Sequence, residues 1–212
     1  MSTPSPRSVE GRGARDLQCG HGKTTQPRRA DAERNIATIL ATATRLLCAD
    51  PGASVAEIAK AAGVGRVTLY GHFPSRESLV DAVLEHAVDH AELALSGLDL
   101  EGLPAPEALE RLVVSSWEIL DRHSRLFVAA DRALPAERIR ERHSGPLARV
   151  ERLIVRGRDE GSFRTDLPLS WLVSTFLVVL HNAAGEIEAG RLPREEAAEV
   201  LTRTLRSVLV SG

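Results

Sequence analysis

The 212-residue chain is poor in several features that would place it among secreted proteins. It contains only two cysteines, Cys19 and Cys48, and their spacing fits neither a disulfide framework nor a paired metal motif. The first 30 residues hold no continuous apolar segment of the kind that a secretory leader needs. We therefore expect a reduced protein with a cytoplasmic location.

Long apolar runs are also scarce, and only one segment raises the question of a membrane span. Between Asp166 and Glu186 only His181 is able to carry a charge. Serine, threonine, asparagine and proline residues dilute the apolar character of this segment. It therefore predicts a buried helix, with no membrane partner.

Sustained alternation of apolar and polar residues is missing, as are Asn-Gly and Asp-Gly hairpin turns. Apolar residues recur at helical spacing nearly throughout, which predicts an all-α fold with about nine helices. Residues 1–30 are rich in Ser, Thr, Pro, Gly and Arg, so we expect a disordered basic arm there. The predicted helices are a first one ending before Pro51-Gly52, then 54–62, 65–72, 75 to near 95, 107–122, 124–133, 145–160, 168–189 and 194–210.

Motifs for catalysis and metal binding are absent or incomplete. His86 and His90 share one helix face, but the sequence offers no third metal ligand beside them. Residues 22–24, Gly-Lys-Thr, are similar to the end of a phosphate-binding loop, yet Leu17 occupies the position of its first glycine. No Gly-x-Ser-x-Gly motif is present. We therefore predict no enzymatic activity, no cofactor and no metal site.

Charge is unevenly distributed along the chain, although the net charge is −2. Residues 1–75 carry 10 Arg or Lys against 6 Asp or Glu, whereas residues 76–212 carry 17 against 23. A basic N-terminal part followed by an acidic remainder indicates an anionic partner at the N-terminal end. A solvated basic tail without a partner is the alternative.

The segment from Ser54 to Phe73 has the pattern of two short helices joined by a tight turn. Ser54 and Glu57 have the spacing of a capping box, which begins the first helix, and Gly63 ends it by permitting a left-handed backbone. This arrangement is a helix-turn-helix, a motif that places its second helix in the major groove of DNA. The exposed face of that second helix would carry a guanidinium, two hydroxyls and an imidazole, which donate to phosphates or base edges.

Residues 32–79, and above all IAKAAGVGRVTLYGHFPSRESL at 58–79, resemble the DNA-binding domain of the TetR (tetracycline-repressor) family of bacterial transcription regulators. The resemblance implies that Arg66 and Thr68 face base edges. It also implies that Tyr70, His72 and Arg76 bind backbone phosphates. Packing is the alternative role for Tyr70, and a solvated charge at a helix start is the alternative for Arg76.

Two residues of the second helix depart from the family pattern. Val67 stands where a small or cyclic residue is common, and its methyl groups offer a contact to thymine. Gly71 replaces a larger, often aromatic residue, so one expected contact is missing. With so few hydrogen-bonding side chains, we expect DNA shape to contribute to the choice of site.

The resemblance implies a domain order of a basic arm at 1–30, a DNA-binding domain at 31–78 and a helical domain at 79–212 for ligand binding and dimerisation. The implied partners are a near-palindromic double-stranded operator, a small-molecule inducer and a second copy paired through the last two helices. The implied function is a ligand-responsive repressor; the alternative is a helical ligand-binding or scaffold dimer with vestigial DNA binding. Candidate ligand-binding residues, for which core packing is the competing role, are Trp117, Asp121, Phe127, Trp171, Phe176 and His181.

Overall fold

The computed structural model describes residues 25–210, and the side chains from residue 32 onward. Within that range the chain forms nine α-helices and one short 3₁₀ turn. Residues 1–24, which include most of the predicted basic arm and the Gly-Lys-Thr segment, lie outside the described residues. The helices are α1 Thr25–Ala49, α2 Val55–Ala61, α3 Arg66–His72, α4 Arg76–Ser96, α5 Ala105–Ala133, α6 Ala136–Arg142, α7 Ser144–Asp159, α8 Leu169–Glu188 and α9 Ala197–Leu209, with the 3₁₀ turn at Arg194–Glu196.

The all-α prediction is confirmed. The predicted number of nine helices also agrees, but only because two errors in the prediction cancel. The two helices predicted at 107–122 and 124–133 form the single 29-residue helix α5. No glycine or proline interrupts that stretch, so nothing in the backbone ends the helix. Conversely, α6 was not predicted, because Ile139 is the only large apolar residue among its charged neighbours and no amphipathic stripe forms.

Two hydrophobic cores share helix α5. The N-terminal core joins α1 to α4 with the end of α5, and its fully buried side chains include Ile39, Ile58, Leu69 and Leu79. The C-terminal core joins α5, α7, α8 and α9. Helix α4 packs along α5, the helix that contributes side chains to both cores.

Helix α8 is buried on one face only, whereas the sequence predicted a buried helix. Leu172, Phe176 and Leu180 face the C-terminal core, in one stripe at helical spacing. Within residues 25–210, no helix combines the length and the apolar character that crossing a bilayer requires. The neutral stretch after Asp166 therefore packs against α5, α7 and α9.

Candidate nucleic-acid interface and ligand cavity

Helix α3 is held to the N-terminal core by very few side chains. Leu69 is fully buried and Phe73, which follows the helix, is 8% exposed. By contrast, Val67 is 88% exposed and Tyr70 is 47% exposed. Arg66, Thr68 and Gly71 are exposed as well. The helix therefore projects from the core, with most of its circumference in solvent.

The turn before α3 is built by hydrogen bonds that only its glycine makes possible. Gly63 has φ of +69°, its N–H donates to the carbonyl of Lys60 at 3.2 Å, and the N–H of Val64 donates to that of Ala59 at 3.0 Å. These two bonds form a Schellman motif, which ends α2 and turns the chain. The capping box at the other end of α2 is also confirmed, because Ser54 and Glu57 exchange side-chain to backbone hydrogen bonds.

The chain segment that carries α3 is free of acidic residues. From residue 58 to residue 76 the chain contains Lys60, Arg66 and Arg76 but no Asp or Glu. Lys60 is exposed on α2, and Arg66 is exposed at the start of α3. The segment also contains His72, which is half-buried and lies beside the ring of Phe73. This arrangement favours an anionic surface opposite α3.

Arg76 occupies a position that sequence reasoning did not expect. Its guanidinium donates to the backbone carbonyl of Pro51 at 2.8 Å and to that of Ala53. It therefore joins the first turn of α4 to the loop between α1 and α2, and part of its hydrogen-bonding capacity is committed there. The phosphate contact predicted for Arg76 would have to use its remaining N–H donors.

A second candidate site is an apolar cavity of about 90 Å³, partly open to solvent, that is lined by α4, α5, α7 and α8 together with His143, which joins α6 to α7. Of the predicted ligand-binding residues, Phe127, Phe176 and His181 line it. Trp117 is buried in the C-terminal core, Asp121 pairs with Arg194, and Trp171 is 62% exposed on α8; none of these three is among the lining residues.

Three histidines line the cavity, and two of them, His123 and His143, were not singled out from the sequence. His123 lies four residues before Phe127 on α5, a spacing that could have identified it. His143 lies at the junction of α6 and α7, where no periodic pattern marks it. In space the rings of Phe127, His143 and His181 form a cluster, with His181 4.8 Å from Phe127 and 5.0 Å from His143.

The hydrogen bonds of these three histidines determine which ring nitrogen carries the proton. In each ring Nδ1 lies within 2.9 Å of the carbonyl oxygen four residues earlier, so Nδ1 carries the proton and donates. Burial, reinforced by the neighbouring His143, lowers the pKa of His181 to about 4, and burial also lowers the pKa of His143. Both rings are therefore neutral at pH 7, which leaves Nε2 of each as an acceptor.

A cluster of charges connects the cavity region to α4. Arg142, the residue before His143, donates to both carboxylate oxygens of Asp81 at 2.9 and 2.5 Å, and Arg138 donates to the same carboxylate at 3.0 and 2.9 Å. The hydrogen bonds from Arg142 contribute most to lowering the pKa of Asp81 to about 2. Helix α6 is thereby fastened to the part of α4 that follows the helix-turn-helix.

The outer face of α8 leaves large apolar side chains in solvent. Trp171 is 62% exposed, and Val178, two turns further on, is 64% exposed. On α9, Val200 is 39% exposed. Scattered apolar residues are ordinary on protein surfaces, and these three lie on the last two long helices of the chain.

Comparison with known proteins places these features in a family. Residues 39–83 match the model of the bacterial regulatory proteins of the tetR family. Over 87 residues, 41% of this chain and 46% of its relative, the chain is 36% identical to the transcriptional repressor LfrR of Mycolicibacterium smegmatis. Over 154 residues, 71% of this chain and 81% of its relative, it is 25% identical to the transcriptional regulator NfxB of Pseudomonas aeruginosa. The match to LfrR thus spans about half the length of that relative.

The fold is shared more widely than the sequence. The crystal structure of the TetR-like regulator LfrR from Mycobacterium smegmatis in complex with proflavine covers 86% of this chain and 99% of its own, with a TM-score of 0.61 at 23% identity. The family model covers the helix-turn-helix and its flanking residues, and the similarity in fold extends over most of the chain. Residues 39–83 thus carry the DNA-binding domain type of the tetR family of bacterial regulatory proteins, and the helices of the chain have the fold of TetR-like regulators.

Proposed function

We propose that this protein is a repressor that binds a near-palindromic operator as a homodimer and is released by a small-molecule inducer. The observation that carries the proposal is the exposed face of α3, with Arg66, Val67, Thr68 and Tyr70 in solvent around a single buried anchor, Leu69. A short helix with so little packing contributes little to the core. Its composition suits contact with DNA, because small and hydrogen-bonding side chains permit close approach to the groove.

In this proposal the residues of α3 divide into two groups. Arg66 and Thr68 contact base edges in the major groove, and Val67 packs on a thymine methyl group. Tyr70, His72 and the free donors of Arg76 contact phosphates, which fixes the position of the helix without selecting a sequence. The domain boundaries expected from the sequence, 31–78 and 79–212, belong to the same proposal.

Pairing through α8 and α9 would supply the symmetry of the operator. The exposed Trp171 and Val178 lie on α8 and Val200 lies on α9, the two helices expected to form a four-helix bundle with those of a second copy. A two-fold pair places two copies of α3 in successive major grooves, roughly 34–36 Å apart. The preferred DNA site should then contain two inverted half-sites one helical turn apart.

Release by an inducer has a mechanical basis in the contacts of α4. The cavity is lined by His143, and the adjacent Arg142 is paired with Asp81 on α4. At the start of α4, Arg76 holds the loop between α1 and α2. A molecule that enlarges the cavity and favours a different position of α4 would weaken DNA binding by its difference in affinity for the two states.

Selection of bound fragments from a random DNA pool, followed by titration of the selected site, tests this function. We expect an inverted repeat, and we expect Arg66→Ala to weaken binding to it by about 1–3 kcal/mol. Tyr70→Phe should weaken binding to all sequences alike, since it removes a phosphate contact. Arg152→Ala, at an exposed arginine on α7, is the matched control and should bind like the unaltered protein. Failure to select any sequence at moderate salt would favour the scaffold alternative.

A further inference from the structure

The cavity of about 90 Å³ has a lining that restricts the chemistry of its occupant. No Lys, Arg, Asp or Glu contributes to it. Its polar side chains are Ser116 and the three histidines, and every other lining residue is apolar. A carboxylate or phosphate would enter without a compensating cation, and an ammonium group would enter without an anion, so both are disfavoured.

One polar atom of a lining residue lacks a hydrogen-bond partner among the described residues. Nε2 of His181 has less than 1 Å² of accessible surface and no described group hydrogen-bonds to it, so a ligand reaches this nitrogen when the neighbouring side chains shift. Because Nδ1 of the same ring donates to the carbonyl of Leu177 at 2.9 Å, the unpaired nitrogen is an acceptor and not a donor. A buried acceptor of this kind is stabilised by any group that brings an N–H or O–H to it.

The two nearest rings cannot satisfy this acceptor. Phe127 has no polar hydrogen, and its ring meets His181 edge-on at 4.8 Å. His143 uses its own ring proton on the carbonyl of Ile139 at 2.7 Å. The histidines also do not converge as a metal site: among the residues whose side chains are described, no group of three or more His, Cys, Asp or Glu side chains is placed to hold an ion.

We infer that the cavity takes a neutral, largely apolar molecule that donates one hydrogen bond, from a hydroxyl or N–H group, to Nε2 of His181. The inference rests on the proposed function, whose inducer it describes by chemical class. The cavity of about 90 Å³ is smaller than the apolar protein cavity of about 150 Å³ that is known to admit benzene. A single ring would therefore have to extend toward the open side of the cavity or displace its walls, which include Ala87, Val88 and Ala91 of α4.

Calorimetric titration of the whole protein at pH 7 with phenol, toluene and benzoate tests this inference. Phenol and toluene have the same size, but only phenol donates a hydrogen bond, and benzoate adds a negative charge. We expect phenol and toluene to bind and benzoate not to bind. The ratio of phenol affinity to toluene affinity should fall about tenfold in His181→Phe, which keeps the ring shape and removes the acceptor.

His90→Phe, the same substitution at an exposed histidine on α4, is the matched control and should leave the ratio unchanged. If His181→Phe does not fold, His181→Met removes the acceptor with a more adaptable side chain. An unchanged ratio in the folded variant, benzoate binding as tight as that of phenol, or no binding of any of the three at millimolar concentration would each overturn the inference.

The titration involves no DNA, so its failure is separable from failure of the proposed function. A protein that binds its selected operator and is released by some molecule, yet shows no dependence on the donor group, contradicts the inference alone. A protein that prefers phenol through His181 but selects no DNA sequence contradicts the repressor proposal and supports the inference.

Discussion

Replacing His181 by phenylalanine should change how the stability of the protein depends on pH. The folded ring titrates with a pKa of about 4, because it is buried beside His143, whereas an unfolded histidine titrates near 6.5. As pH falls from 7, the unfolded chain binds the proton first, so the free energy of unfolding decreases until the pH reaches about 4. Integrating between pH 7 and pH 5 gives a loss of about 2 kcal/mol from this one residue.

Urea denaturation of the unaltered protein and of His181→Phe at pH 7 and pH 5 measures this quantity. This pH interval lies above the range where most carboxylates titrate, so their contribution is small and common to both proteins. We expect the unaltered protein to lose about 2 kcal/mol more than the variant over this interval. The same loss in both proteins would show that His181 is protonated without difficulty in the folded state, and would refute the argument for a buried neutral ring.

Four further substitutions, in three predictions, examine other parts of the structure. Asp81→Asn should lower the free energy of unfolding by about 1–2 kcal/mol at pH 7, and the difference should vanish as pH falls from 4 to 2, since the folded carboxyl has a pKa of about 2. Gly157→Ala should destabilise by about 2–3 kcal/mol, because an added Cβ would lie 2.2 Å from the ring of Phe163, while Gly71→Ala, with open space around it, should stabilise by up to about 1 kcal/mol. Val178→Asp should convert the proposed dimer into monomers, measured by light scattering.

These three predictions have distinct contrary outcomes. A destabilisation in the Asp81 variant that persists at pH 2 would mean that packing, and not the ion pairs, carries its effect. Equal melting temperatures for the alanine variants at residues 157 and 71 would contradict the close packing at Phe163. A monomeric unaltered protein at micromolar concentration would remove the basis for pairing through α8.

Local features of the fold followed from residues that are neighbours in sequence. The capping box at Ser54 and Glu57 and the left-handed turn at Gly63 involve atoms a few residues apart, so their chemistry is decided before any long-range packing. The exposed character of α3 also followed, because its small polar residues leave only Leu69 to bury. By contrast, the short helix α6 carries no amphipathic stripe, and its position depends on the pairing of Arg138 and Arg142 with Asp81.

The residues of the candidate cavity could likewise be predicted from the sequence only in part. Phe127, Phe176 and His181 could be chosen as large or polar groups on apolar helices, but Trp117 and Trp171 fitted that description equally well. Which side of a helix faces the cavity depends on how α5 and α8 rotate against their neighbours, and the sequence pattern leaves this open. His143 approaches His181 only because α6 ends beside α8.

The sequence by itself thus determined an all-helical chain with a helix-turn-helix near its N-terminal end, since capping, turn geometry and helical periodicity act over a few residues. Only the tertiary structure decided the attachment of Arg76 to the α1–α2 loop and the neutral cavity with its unpaired acceptor. Those features depend on burial and on contacts between residues that are distant in the chain. Burial also sets the pKa values and hydrogen-bonding states on which the chemistry of the cavity depends.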